Sequence, residues 1–200
     1  MHPNPHFRAK EQGYAAGLAQ EVGFGMIFAQ TPDGPRVAHT PVVVSNDTTL
    51  RFHLARGNAL TRHLGTARAL VVVNGIDAYV SARWYADPDQ VPTWNYCAAE
   101  FEGPVSILDR AALLQLLDAI GAQHEARIKH GTPWTMDKLS ETRRDRLLQA
   151  IVGFEMQIET TRETIKLAQH RPAEDIRLLA DGLDREGRSQ MADAMRAYTS

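Results

Sequence analysis

Apolar and polar positions divide the chain into a strand-patterned first half and a second half dominated by helical spacing. Tyr14, Leu18 and Val22 recur at helical intervals, which predicts a helix over residues 10–22 ended by Gly23. Residues 24–30 read as a strand, TPDGP at 31–35 as a turn, and the β-branched run 36–44 as the returning strand. After a second turn, SNDTT at 45–49, Leu50, Phe52 and Leu54 alternate with Arg51, His53 and Ala55. That period of two predicts a strand with one apolar face and one face open to a ligand. Residues 60–64 are too short a run to assign. Residues 69–73 form a continuous apolar strand, and Asn74-Gly75 predicts a turn into a further strand over 79–84. Beyond the loop around Pro88 and Pro92, residues 93–102 and 105–108 extend the meander, with a bend or bulge at Gly103 and Pro104. Five or six antiparallel strands joined by short turns fit a closed or split barrel, which hides the edges an open sheet would expose.

The pattern changes at Asp109, an N-cap for a helix in which Leu113, Leu116, Leu117 and Ile120 share a buried face. A second helix is predicted over 137–151, introduced by Pro133 and Trp134 and ended near Gly153. Its ArgArgAspArg run at 143–146 is read as a solvated face rather than a phosphate track. Phe154, Met156 and Ile158 then alternate with Glu155, Gln157 and Glu159 in a strand that extends towards Leu167. Pro172 opens a helix carrying Ile176, Leu179 and Leu183 on one face, and 190–198 is a final short helix. The expected architecture is a single domain, 1–200, mainly β with added helices, its C-terminal extension starting near residue 171.

Composition adds few constraints. The chain has 200 residues, 44% hydrophobic and 23% charged, with a formal net charge of -2, so there is no global electrostatic footprint for nucleic acid. Arg171, Arg177, Arg185 and Arg188 are interleaved with Glu174, Asp175, Asp181, Asp184 and Glu186, so the charge pattern does not support direct DNA binding. Cys97 is the one cysteine, and its apolar strand marks it as a packing residue. With no signal-like opening and no apolar run near the length of a membrane span, a cytoplasmic protein away from membranes is expected. The histidines lack zinc-site spacing, and no dinucleotide fingerprint, P-loop or nucleophile elbow is present.

The chemistry gathers in residues 79–96, YVSARWYADPDQVPTWNY. Trp84 and Trp94 stand beside Tyr79, Ser81, Arg83, Tyr85, Thr93, Asn95 and Tyr96. Flat aromatic surfaces next to hydroxyls, an amide and a guanidinium suit a planar, polar-edged ligand; the other reading makes the tryptophans core or interface anchors. YVSARWY and VPTWNY, with HPNPHF near the start, FHLARGNAL at 52–60, TPWTMDKL at 132–139, IVGFEMQIE at 151–159 and KLAQHRPAED at 166–175, resemble the PaiB-like FMN-binding negative transcriptional regulators.

That resemblance spans nearly the whole chain and implies an antiparallel FMN-binding split β-barrel with peripheral helices, and a homodimer with FMN between its subunits. It places Ala55, Arg56 and Asn58 at the phosphate, where Arg56 offers a bidentate fork and Gly57 a close backbone approach. Thr40 and the 41–43 backbone resemble the segment that lines the flavin. His53, with His39 on the neighbouring strand, either frames this pocket or is structural. Ser81, Trp84, Tyr85, Thr93, Trp94 and Asn95 carry over as pocket residues, and Lys166 and Gln169 as groups that close the site. The chain departs from the family pattern at Glu163 and Thr164, where a Gly-Lys pair is common, at Ala168 and His170, which replace a serine and an asparagine, and in its short loop between the tryptophans. The implied function is regulation through a flavin or small-molecule site. A flavin-dependent oxidoreductase of the pyridoxamine-phosphate-oxidase-like group is the alternative, and the residues alone leave open whether the chain is an enzyme.

Overall fold

A computed structural model describes residues 2–9, 12–45 and 48–199. The chain divides into two compact units. One comprises Ala15–Val73 and Glu100–Thr161, the other Met1–Tyr14, Asn74–Ala99 and Arg162–Ser200. Two long strands, β4 (Arg68–Val80) and β5 (Thr93–Ile107), contribute to both.

In the Ala15–Val73/Glu100–Thr161 unit, α1 (Tyr14–Val22) ends at Gly23, whose φ of 68° and N–H bond to the Ala19 carbonyl (2.8 Å) make the expected C-terminal stop. The predicted start of this helix at Lys10, and Asn46 and Asp47 of the predicted 45–49 turn, lie outside the described residues. β1 (Phe24–Thr31) pairs antiparallel with β2 (Gly34–Ser45) as far as Pro41, and from Val42 onward β2 pairs with β3 (Thr49–Ala55). Proline has no N–H for a ladder, so a change of neighbour at Pro41 costs little backbone bonding. The buried Thr40 hydroxyl bridges the change by donating to the His53 carbonyl at 2.6 Å.

β3 continues to β6 (Ile151–Gln157), and β6 to β5. β4 pairs with β1 and also with β5, and the Val105 N–H meets the Ala67 carbonyl at 2.9 Å. The order β4-β1-β2-β3-β6-β5 therefore closes into a ring, with β7 (Thr160–Lys166) beside β5. This is the split-barrel arrangement, with five strands up to Ile107 as the meander predicts and β6 and β7 after Gln149. Leu50, Phe52 and Leu54 of β3 are buried as their alternation predicts, and Phe52 stacks on its cross-strand partner Phe154 with centroids 5.4 Å apart. Burying each such ring contributes about 1.5–3 kcal/mol. Asp109 caps α3 (Arg110–Glu125) by accepting the Ala112 N–H at 2.8 Å, and Leu113 and Leu116 face inward.

Several expectations are corrected. Asn74-Gly75 makes no turn: β4 runs straight through it, and Gly75 lacks the positive φ that a tight hairpin turn requires. Val71 and Val73 before it and Ala78 and Val80 after it are all buried, so burial on both sides outweighs the local turn preference. The strand stops at Val80 rather than Trp84, because Ser81 caps a 3-10 turn over Ala82–Trp84. Gly103-Pro104 does not split β5. The predicted helix over 137–151 is a 3-10 turn, Met136–Lys138, followed by α4 (Glu141–Gln149), which the Ser140 side chain caps. Gly153 sits within β6 opposite His53, where a Cβ would lie 3.0 Å from Leu113 and 3.2 Å from Leu108. Residues 154–167 form two strands, β6 and β7, rather than one.

In the other unit, Pro172 precedes α5 (Ala173–Arg185), with Ile176, Leu179 and Leu183 buried, and α6 (Ser189–Thr199) follows. The Trp84 ring lies on Gly182 of α5, where a Cβ would come within 2.5 Å of it. No helix among the described residues is long and apolar enough to cross a membrane.

A Cβ at Gly103 would fall 1.8 Å from the Gln157 carbonyl oxygen, whereas one at Gly57 would meet nothing within 4 Å. Gly103→Ala is therefore expected to destabilise the fold by roughly 3 kcal/mol or more. Gly57→Ala should change stability by less than about 1 kcal/mol. Urea unfolding midpoints of the two variants check the contrast.

Candidate functional site

Eight of the predicted site residues line three cavities, while Thr40, His53, Ala55, Asn58 and Gln169 line none of these. A first group follows β3 in the Ala15–Val73/Glu100–Thr161 unit. Ala55, at the strand end, accepts from the Asn58 N–H (2.9 Å) and the Thr61 hydroxyl (2.7 Å). The Asn58 side chain accepts from the Leu60 N–H at 2.9 Å, folding residues 55–61 into a tight turn. Arg56 reaches back to the end of α4: its N–H bonds the Ala150 carbonyl, its Nε the Gln149 carbonyl at 2.9 Å, and its Nη2 the Ile151 carbonyl at 3.2 Å. Those carbonyls carry the partial negative charge of a helix C-terminus, so a cation is favoured there. Arg56 and Arg62 border a cavity of about 700 Å³ that also takes in Thr61, Thr66 and Arg110. Its apolar wall includes Ile107, Leu108, Leu113 and Val152. Of the acids nearby, Asp109 caps α3 and Asp145 pairs with Arg110. Asp33 comes no closer than 4.0 Å to Arg62.

His53 and Thr40 belong to the same unit. The buried His53 Nδ1 has no hydrogen-bond partner among the described residues, and burial pushes the imidazole below its ordinary pKa. His39 is exposed on β2.

The second group brings Tyr79, Ser81, Arg83, Trp84 and Trp94 around a cavity of about 520 Å³, completed by Glu186 and Arg188 after α5. Tyr79 and Trp94 meet edge to face at 6.3 Å and are 49% and 53% exposed. Trp84, held against α5, is a packing residue as well as a cavity wall.

Tyr85, Thr93, Asn95 and Lys166 line a third cavity, of about 280 Å³, with Phe7, His170 and Arg171. The Lys166 ammonium donates to the Thr93 hydroxyl at 2.5 Å, and burial lowers its pKa. Asn95 is fully buried and donates to the Met195 sulfur at 3.3 Å. Burial raises the Tyr85 pKa, partly offset by Arg171, whose guanidinium lies 5.1 Å from the ring centre. Gln169 is taken up structurally: it accepts from the Leu167 N–H and donates to the carbonyls of Ile165 (2.6 Å) and His6 (2.9 Å). Arg62, Arg110, His170 and Arg171 were not among the predicted ligand groups. Arg62 and Arg110 sit in different segments with no periodicity to connect them, while Arg171 is flagged only by its place directly before Pro172.

A closed antiparallel ring of strands with appended helices places the molecule among the split barrels. Residues 1–160 match the family described as "Putative FMN-binding domain", and the chain belongs to that family, the PaiB-like FMN-binding proteins. It is 28% identical over 202 residues to the protease synthase and sporulation protein PAI 2 of Bacillus subtilis (strain 168), covering 98% of this chain and 96% of that one. In fold it resembles the FAD and heme binding protein from Mycobacterium smegmatis, with a TM-score of 0.61 at 17% identity over 80% of this chain and 73% of that one. A conserved hypothetical protein from Mycobacterium tuberculosis gives 0.60 at 15% identity over 86% and 94%.

Two histidines set a pH dependence. His53 is lowered by burial, and His170 by burial and then by Arg171, Lys166, His6 and His2. In the unfolded chain both would titrate near 6.5. As pH falls through that value the unfolded state takes up protons that the folded state refuses, so stability is complete above it and declines below it. Urea midpoints should fall between about pH 7.5 and 5.5, and His53→Gln should flatten the decline. An unchanged midpoint would contradict the burial of the His53 ring as a neutral group.

Proposed function

We propose that this chain binds FMN at the cavity bordered by Arg56 and Arg62. The supporting observation is that every residue lining this cavity falls within 1–160, the span matched by the FMN-binding family. The donor set fits the cofactor: guanidinium groups and threonine hydroxyls suit a phosphate, and the Ile107, Leu108 and Val152 wall suits an apolar ring edge. Arg62, which is exposed and, among the described residues, bonded to the His63 ring and weakly to Asp33, is the group best placed to receive the phosphate. Arg56 already holds two carbonyls through Nε and Nη2 and offers its remaining guanidinium N–H groups. The Ala55–Asn58 turn supplies backbone beside them. FMN, when bound, supplies one- and two-electron redox chemistry.

Purified protein mixed with FMN and desalted should keep a flavin spectrum. Losing one charge-assisted contact costs about 1.5–3 kcal/mol, so Arg62→Gln should weaken FMN binding by at least about tenfold, read as quenching of flavin fluorescence. Failure of the wild-type chain to quench at high micromolar FMN would remove the proposal.

The regulatory role implied by the family is proposed to run through this ligand, in a homodimer, rather than through direct DNA contact. Tyr79, Trp94 and Val91, the last 71% exposed, offer apolar surface suited to a second copy. On α5 and α6 two arginines are already paired: Arg196 bonds Asp184 at 2.7 Å and Asp181 at 3.1 Å, and Arg177 lies 3.5 Å from Asp181. Mobility shifts at physiological salt with competitor DNA should show no sequence-selective complex with the protein alone. A salt-resistant selective shift would overturn the indirect role.

A further inference from the structure

Beyond the flavin reading, we infer that the 280 Å³ cavity of the Met1–Tyr14/Asn74–Ala99/Arg162–Ser200 unit is a second site, for a small organic oxyanion, a carboxylate or phosphate monoester received by Lys166 and Arg171. Lys166, Ala168, His170 and Arg171 of its wall lie beyond the 1–160 span that the FMN-binding family matches.

Charge carries the inference first. Among the described residues the lining includes Lys166, Arg171, His170 and His2 and no carboxylate. Lys166 is bonded to the Thr93 hydroxyl and stands 5.9 Å from the centre of the Phe7 ring, while Arg171 stacks on Tyr85; neither pairs with an acid among the described residues. Asp175 of α5, whose charge reaches Tyr85, has its carboxylate engaged by the Ala86 N–H at 3.1 Å. Cations brought together repel one another, and the pKa of His170, lowered first by burial, is lowered further by Arg171, Lys166, His6 and His2. An oxyanion relieves that repulsion.

Construction of the wall is the second support. Ala168 is the one non-glycine with positive φ among the described residues, at 61°. Left-handed backbone is unfavourable for alanine and tends to persist where the surroundings impose it, often at ligand sites. Here it turns the chain so that the Arg171 N–H bonds the Ala168 carbonyl at 2.9 Å, while Gln169 ties the end of β7 to His6. Unmet polar capacity is the third. Of the four buried side-chain polar atoms without a partner among the described residues, two, Asn95 Oδ1 and Arg171 Nε, belong to residues of this lining. The Phe7 and Tyr85 rings leave apolar surface for the body of the ligand.

The test follows the His170 imidazole by NMR pH titration, its signal assigned with His170→Gln, in FMN-free and FMN-saturated protein. Inorganic phosphate and benzoate serve as probes. Either probe should raise the His170 midpoint in both forms, and Lys166→Gln and Arg171→Gln should each weaken that response by about tenfold. A response to phosphate alone assigns the site to phosphate esters, and one to benzoate alone to carboxylates; both support it. The wild-type response stands whether or not a variant folds. No movement of His170 with either probe at high millimolar concentration would overturn the inference. So would displacement of the probes by FMN, since the cavity would then be the flavin's own, whereas a chain that fails to bind FMN leaves the FMN-free titration fully readable.

Discussion

Closing a ring of strands obliges every buried N–H and carbonyl to find a partner while the strands change neighbours along their length. β2 shows how this is met. It serves β1 up to Pro41 and β3 from Val42, so the residue with no donor stands where the ladder changes sides, and the Thr40 hydroxyl supplies a bond to the His53 carbonyl. Close approaches elsewhere depend on the same economy. Gly103 lets β5 lie against the Gln157 backbone, and Gly153 lets β6 pass beneath Leu108 and Leu113. Glycine at these positions reflects space rather than turn geometry, since neither has a positive φ.

Strand alternation at Leu50, Phe52 and Leu54, the Asp109 cap, and the helix after Pro172 were legible because each depends on neighbours a few residues away. Asn74-Gly75, the extent of the helix before Gly153, and the break between β6 and β7 were not, because tertiary burial decides them. Asn-Gly favours a hairpin locally, yet buried valines on one side and Ala78 and Val80 on the other hold that dipeptide in an extended strand. The same limit applies to the site. Residues 79–96 announce aromatic and polar chemistry, but nothing in them indicates that they separate around two cavities, Trp84 and Trp94 at one and Tyr85, Thr93 and Asn95 at the other. Arg56, singled out by its motif, is partly consumed in holding the end of α4.

Charge is distributed by the same logic. On α5 and α6, Arg177 and Arg196 sit with aspartates, while the described lining of the cavity at Arg171 carries cations and no acid. Similar residue types thus act as solvated surface in one place and as a source of local field in the other.

The contact between Gln169 and the His6 carbonyl joins residues 163 apart in sequence. With the His2 N–H to Thr164 contact, it ties one end of the chain to residues near the other. During synthesis the turn around His6 is made well before its docking partner Gln169. It must therefore stay undocked until those later residues exist, and closing so long a loop makes its docking one of the late events of folding.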